Sequence, residues 1–95
     1  MELRPLGRSG LWVGRLGLGT MTWGRGTDEY EARDQLAAFL DAGGTLLDTA
    51  DVYPLGGTLD SVGRTEEIVG KWLRGKRDRF VVATKCSGKM GPAAW

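Results

Sequence analysis

The strongest constraint on the fold is the regular return of a short apolar segment along the chain. Leu16, Leu46 and Val81 mark corresponding points in three such segments, 30 and 35 residues apart. A stretch with helical periodicity lies between each pair. Fully apolar strands that alternate with helices predict a parallel sheet covered by helices. A repeat of about 30 residues is compatible with a (β/α)8 barrel and with an open doubly wound sheet.

The predicted elements divide the 95 residues into three parts. Residues 1–15 are predicted to form a hairpin, because "RSG" at 8–10 supplies turn residues between two short apolar segments. Residues 16–85 form a βαβαβ unit, and residues 86–95 form a truncated loop. Three strands are too few for a closed barrel, which needs roughly 250 residues. We therefore predict an α/β fold that is the N-terminal piece of a TIM barrel.

The βαβαβ unit contains two predicted helices. Helix 28–42 begins with Asp28, and Glu31 stands three residues later, as in a capping box. Helix 66–74 is predicted to begin after Thr65 as its cap. The basic run at 74–79 is predicted to be a solvated loop. The three strands are predicted at 16–19, 45–48 and 80–83, and their barrel-facing side chains at Leu16, Leu18, Leu46 and Val81 or Val82.

Composition narrows the class of function. Thirteen Lys and Arg against twelve Asp and Glu leave a net charge of +1, which gives no electrostatic argument for nucleic acid. No apolar run approaches the ~18 residues that a membrane span requires, and the N-terminus lacks a signal-peptide core. The single cysteine, Cys86, excludes an internal disulfide and predicts a reducing, cytoplasmic location.

The glycines around the first strand invite comparison with the dinucleotide-binding fingerprint. Gly14, Gly17 and Gly19 read G-x-x-G-x-G, whereas the fingerprint is G-x-G-x-x-G and opens directly into a helix. Counted from Gly17, the sixth position is Thr22, and the predicted helix begins only at Asp28. The pattern therefore favours the barrel over the open dinucleotide fold.

In a barrel, the residues at the carboxyl ends of the strands carry the function. That rule selects Gly19, Thr20 and Met21 after the first strand, Asp48 after the second and Lys85 after the third, and Tyr53 lies in the loop beyond Asp48. Each residue also has an ordinary structural explanation. Aspartate at a strand end often caps a turn, a tyrosine beside a proline can pack a loop, and a lysine can end a strand in solvent. Together, however, tyrosine, lysine and aspartate form a proton-transfer set.

Four motifs then resemble the aldo-keto reductase family, in that family's order along the chain. They are "LGLGTM", "LLDTADVY", "GRTEEIVGKWL" and "VVATK", and together they span most of Leu16 to Lys85. The loop after Tyr53, "PLGGTLDSV", is longer than the usual pattern. The resemblance implies reduction of a small aldehyde or ketone with hydride from a nicotinamide cofactor, usually NADPH, with NADH also possible.

The resemblance also implies a role for each member of the set. A phenol has an ordinary pKa of about 10, too high for efficient acid–base catalysis near neutrality, and a nearby ammonium favours the phenolate. By resemblance, Tyr53 is the acid, Lys85 tunes it, and Asp48 holds Lys85. The family's fourth catalytic residue is a histidine, and this sequence contains none. The 95 residues alone are therefore expected to be inactive.

The cofactor and substrate contacts form a second group of expectations. By resemblance, Thr20 and Met21 border the nicotinamide riboside, and Gly19 permits close approach of the main chain to the cofactor. Asp48 is also assigned to cofactor binding, and no metal is implied. Trp23 either lines the substrate mouth beside Tyr53 or packs beneath the loop. Two alternatives to a reductase stay open, a non-catalytic relative that senses the cofactor or regulates a partner, and a gene remnant. The sequence leaves the oligomeric state open.

Overall fold

A computed structural model describes residues 1–91. Residues 92–95, which include Trp95 and complete the predicted loop 86–95, lie outside the described part. The elements are, in order, β1 (Leu3–Pro5), β2 (Trp12–Gly14), β3 (Gly17–Gly19), α1 (Glu29–Asp41), β4 (Leu46–Asp48), α2 (Arg64–Leu73), a 3-10 helix (Arg77–Arg79) and β5 (Val81–Ala83). The predicted hairpin, three strands and two helices are confirmed.

The central sheet has three parallel strands in the order β3-β4-β5. Leu47 of β4 is fully buried and stands between Leu18 and Val82 in the register. This row faces the helices, because all three residues belong to or pack against the buried cluster. Since side chains alternate along a strand, Leu46 and Val81 face the opposite, barrel-interior side. The expectation that Leu18 faces the barrel interior is therefore wrong.

Helix α1 begins as the sequence predicts. The Asp28 carboxylate accepts hydrogen bonds from the amides of Tyr30 and Glu31, at 2.9 and 2.8 Å, and the Glu31 carboxylate accepts one from the Asp28 amide at 3.1 Å. The hydrogen bond from the Glu31 amide is the main cause that lowers the pKa of Asp28 from its ordinary value. Gly43 ends the helix with a positive φ of 83°, a conformation that glycine adopts without strain.

Helix α2 begins earlier than predicted, and Thr65 is not its cap. The cap is Gly63, with φ of 89° and no side-chain hydrogen bond to the helix. Thr65 lies in the first turn and is fully buried, and its hydroxyl donates to the main-chain oxygen of Trp23. A long-range contact that the local sequence does not reveal therefore takes the hydroxyl group away from capping.

Two further segments complete the fold, the N-terminal hairpin and the basic run between α2 and β5. The hairpin strands β1 and β2 pair in antiparallel fashion, and the Gly14 amide donates to the Thr45 hydroxyl at 3.1 Å, which attaches the hairpin to the start of β4. The basic run 74–79 is not a simple loop, since Arg77–Arg79 form a 3-10 helix. The Arg77 guanidinium donates to the main-chain oxygen of Phe80 at 3.0 Å and stabilises this turn before β5.

A buried hydrophobic cluster lies between the sheet and the two helices. Its members come from the loop after β3, both helices, β4 and the residue before β5, namely Trp23, Ala32, Leu36, Leu47, Ile68, Val69, Leu73 and Phe80. Trp12 of the hairpin is 60% exposed and lies outside it. Within residues 1–91, neither helix is long and apolar enough to cross a lipid bilayer.

Candidate active site

The carboxyl ends of the three parallel strands lie side by side in the register. Gly19, Asp48 and Ala83 are paired across β3, β4 and β5, so the segments that follow them leave the sheet along one edge. Lys85 comes two residues after β5, and Tyr53 comes five residues after β4. Strand pairing thus brings together residues that are far apart in sequence.

Lys85 is the centre of this group. Its ammonium group donates to the Asp48 carboxylate at 3.0 Å, to the main-chain oxygen of Thr49 at 2.9 Å and to the Tyr53 phenolic oxygen at 3.1 Å. These three acceptors use all the donor capacity of an ammonium group. The arrangement predicted from the sequence, with Lys85 between Asp48 and Tyr53, is therefore present in the geometry.

The charge on Lys85 is held in place by its acceptors. The hydrogen bond that Lys85 donates to Asp48, followed by the one that it donates to Tyr53, raises the pKa of Lys85 above its ordinary value of 10.5. Lys85 is consequently a cation at neutral pH. The side chains of Lys85 and Asp48 are 49% and 48% exposed, so solvent screens the pair in the part of the chain described.

Tyr53 is fixed by its main chain as well as by its side chain. Its amide donates to the main-chain oxygen of Ala50 at 3.3 Å, and its main-chain oxygen accepts from the amides of Gly63 and Thr65 at 3.2 and 3.3 Å. The first amides of a helix have no partner within the helix. The main-chain oxygen of Tyr53 accepts hydrogen bonds from two of these amides at the start of α2, and these bonds anchor the loop that carries the phenol.

A cleft of about 220 Å³ opens beside Asp48 and Tyr53. It is lined by Gly19, Thr20, Met21, Thr22, Asp48 and Tyr53. These include every residue that the sequence assigned to cofactor contact. Apart from Gly19 itself and its two neighbours in the chain, no atom of residues 1–91 lies within 4 Å of the position that a Cβ on Gly19 would take, so the space above this residue is open.

The first-strand residues of the cleft differ in what they present to it. Thr20 is fully buried, and its hydroxyl donates to the main-chain oxygen of Asp48 at 2.9 Å. This bond ties the end of β4 to the loop after β3. Met21 is 49% exposed, and its main-chain oxygen accepts from the Leu55 amide at 3.0 Å. Both residues therefore link the two loops that border the cleft.

Trp23 is buried rather than presented at the cleft. Its side chain is 1% exposed, belongs to the central cluster and donates from Nε1 to the Gln35 side chain at 2.8 Å. Of the two roles considered for Trp23, packing beneath the loop agrees with this burial, whereas lining the substrate mouth does not.

Sequence reasoning missed two contributors because both act through the main chain. The Thr49 oxygen accepts from Lys85, and the Asp51 amide donates to the Lys85 oxygen at 3.2 Å. Main-chain groups leave no residue-specific signal in a sequence. Among residues 1–91, no three histidine, cysteine, aspartate or glutamate side chains are grouped so that they could hold a metal ion.

Comparison with known proteins places this geometry in a family. The model of the aldo/keto reductase family matches residues 15–95. The protein tas of Escherichia coli K12 is 39% identical over 90 residues, which cover 93% of this chain and 26% of tas. A probable voltage-gated potassium channel subunit beta of Oryza sativa is 40% identical over 97 residues, covering 97% of this chain and 27% of that protein. The chain thus spans about a quarter of the length of these relatives.

Solved structures give the same result for the fold. The holo form of the aldo-keto reductase AKR11C1 from Bacillus halodurans superposes with a TM-score of 0.74 at 42% identity, over 90% of this chain and 26% of that one. An aldo-keto reductase from Klebsiella pneumoniae in complex with NADPH superposes with a TM-score of 0.60 at 37% identity, over 79% of this chain and 24% of that one. The hairpin and the βαβαβ unit match the N-terminal part of the reductase barrel, and the chain belongs to the aldo/keto reductase family.

Proposed function

We propose that this sequence supplies the proton-transfer residues of an NADPH-dependent reductase that converts aldehydes or ketones to alcohols. The observation that carries the proposal is the position of the Lys85 ammonium group, within 3.1 Å of both the phenolic oxygen of Tyr53 and the Asp48 carboxylate. The cleft lined by Gly19, Met21 and Tyr53 lies directly beside this group. Family membership supports the same chemistry.

The residues of the cleft suit the nicotinamide end of the cofactor. The open space above Gly19 would admit a flat ring beside Asp48 and Tyr53, and the exposed side chain of Met21 would border it. When bound, NADPH supplies a hydride for the carbonyl carbon. The related structure from Klebsiella pneumoniae was solved with NADPH, which supports this cofactor.

The chain's own residues would complete the reduction by moving one proton. As the carbonyl carbon gains a hydride, negative charge develops on its oxygen, and the Tyr53 hydroxyl donates its proton there. The phenolic oxygen is left with negative charge, which the N–H group of Lys85 stabilises through the 3.1 Å hydrogen bond. Asp48 orients the ammonium group and balances its charge. One carbonyl, one hydride and one proton give one alcohol.

The proposal is tested on the protein expressed from its complete reading frame, including whatever sequence follows Trp95. Oxidation of NADPH is followed at 340 nm with 4-nitrobenzaldehyde as the substrate, and NADH is assayed in parallel. Tyr53→Phe should lower kcat roughly 10²–10⁴-fold, the usual contribution of a general acid. Tyr30→Phe is the matched control, because Tyr30 is 58% exposed on α1. Equal rates for wild type and Tyr53→Phe would show that Tyr53 is not the acid.

A second candidate function is regulation of a partner protein in response to the bound cofactor. The likeness to the channel subunit beta of Oryza sativa favours it, since that protein is described as part of a channel. The presence of Asp48, Tyr53 and Lys85 in contact argues for the reductase, because a sensor has less need of a proton donor. NADPH binding without turnover on several aldehydes and ketones would favour the regulatory function.

A further inference from the structure

Thr65 is the one side chain of α2 whose hydroxyl reaches the loop that follows β3. It is fully buried, and its hydroxyl donates to the main-chain oxygen of Trp23, 42 residues earlier in the chain. Most buried hydroxyl groups have a hydrogen-bond partner, and removing one member of such a pair leaves the other unsatisfied. This contact therefore fixes the Trp23 loop against the start of the helix.

The main chain of Thr65 reaches a second loop. Its amide donates to the main-chain oxygen of Tyr53 at 3.3 Å, and the Gly63 amide donates to the same oxygen at 3.2 Å. Gly63 offers no side chain to cap the helix, so the main-chain oxygen of Tyr53 acts in place of a capping group. The loop that carries the phenol is thus held by the helix terminus.

The same two loops are also joined directly. The Leu55 amide donates to the Met21 oxygen at 3.0 Å, and the Arg25 guanidinium donates to the Leu55 oxygen at 3.4 Å. Both of these bonds lie among exposed residues. The bond from Thr65 to Trp23, in contrast, is buried and is therefore protected from competition with water.

We propose that Thr65 is a positioning residue for Tyr53, holding the Trp23 and Tyr53 loops in a fixed relation at the N-terminus of α2. When the Thr65 hydroxyl is removed, the main-chain oxygen of Trp23 loses its donor and the start of α2 moves. The main-chain oxygen of Tyr53 then loses its hydrogen bonds from the two amides. The phenol would then leave the 3.1 Å contact with Lys85. The effect on turnover rests on the proposed function, whereas the effect on the two loops does not.

The test compares Thr65→Val, which keeps the shape but removes the hydroxyl, with Thr65→Ser, which keeps the hydroxyl. The protein is expressed from its complete reading frame. Thr45→Val is the matched control, because it removes one hydroxyl contact to a main-chain amide at the opposite end of β4. Hydrogen exchange, measured by mass spectrometry on peptides covering 20–27 and 50–56, reports on the loops independently of activity.

We expect Thr65→Val to accelerate exchange in both peptides and to lower kcat roughly 10- to 100-fold, since small misplacements of reacting groups have effects of that size. The KM for NADPH should change less than threefold or so. Thr65→Ser should restore both loop protection and kcat, and Thr45→Val should lower Tm without changing kcat. Should Thr65→Val fail to fold, the pair Thr65→Ala and Thr65→Ser isolates the same hydroxyl.

Two results separate the possible failures. Unchanged exchange in both loops for a folded Thr65→Val or Thr65→Ala protein would overturn the positioning role, as would a Thr65→Ser protein that is as impaired as Thr65→Val. Faster exchange in a protein that never turns over any carbonyl substrate would support the positioning role and refute the reductase.

Discussion

The ammonium nitrogen of Lys85 lies 3.0 Å from the Asp48 carboxylate, although 37 positions separate the two residues in the sequence. The contact is a consequence of parallel pairing between β4 and β5, which places Asp48 opposite Ala83 at the end of the sheet. The side chain of Lys85 then reaches back over the strand ends to Asp48 and Tyr53. Sheet register, rather than proximity along the chain, builds the candidate active site.

Removal of the Lys85 ammonium should impair turnover more than binding. Lys85→Met deletes the donor to the phenolic oxygen of Tyr53 and leaves the developing phenolate without its neighbouring cation. We expect kcat to fall about 100-fold or more, as for loss of other preorganised donors to developing charge. Lys71→Met is the control, because Lys71 also donates to a carboxylate, that of Glu29, and neither residue lines the cleft. Steady-state kinetics of both variants would contradict this prediction if their kcat values were equal.

The contribution of Lys85 to stability should disappear at alkaline pH. Its pKa is raised above 10.5 in the folded chain, first by Asp48 and then by Tyr53, so the folded state binds this proton more tightly than the unfolded state does. A raised pKa stabilises the fold fully below the unfolded value, and the gain is lost as pH rises through the folded value. The gap in Tm between wild type and Lys85→Met should therefore be constant near neutrality and narrow above about pH 10.5. A gap that widens there would contradict the assignment.

The sequence predicted the features that depend on local pattern. The Asp28 capping box, the apolar strand around Leu47 and the grouping of Asp48 with Lys85 at the strand ends follow from residue type and spacing. What it could not predict depends on tertiary contacts. Thr65 is of a residue type that often caps helices, but its hydroxyl donates to the main-chain oxygen of Trp23 instead. The sequence around Trp23 contains no signal that distinguishes burial in the core from exposure at the rim.

Gly19 offers a direct test of the cofactor cleft. Its φ is not positive, and nothing lies within 4 Å of a Cβ there, so Gly19→Ala should fold normally. The added methyl would stand on the sheet face that carries Asp48 and would occupy part of the cleft. We expect Kd for NADPH to rise about tenfold, equivalent to roughly 1.4 kcal/mol, in a fluorescence titration.

The control for Gly19 is a glycine with the opposite properties. Gly75 has φ of 78° at the end of α2, and a Cβ there also meets nothing within 4 Å. Because a side chain at positive φ costs roughly 1–2 kcal/mol, Gly75→Ala should lower Tm and leave the Kd for NADPH unchanged. Normal NADPH affinity in Gly19→Ala would remove this residue from the proposed cofactor site.

The last prediction concerns residues 1–95 expressed alone. Within the described part of the chain, β3 and β5 are the edges of the sheet, each with one side unpaired, and open edges template association between copies. The barrel-facing surface adds to this, because Leu46 and Val81 on that face are only partly buried, and Leu16, just before β3, is 66% exposed. Each large apolar side chain left in water forgoes roughly 1.5–3 kcal/mol of burial. We therefore expect these 95 residues to aggregate or to stay molten, without NADPH-dependent reduction. Light scattering and an amide NMR spectrum are the measurements, and a soluble monomer with dispersed signals and cooperative unfolding would show instead that the βαβαβ unit is stable by itself.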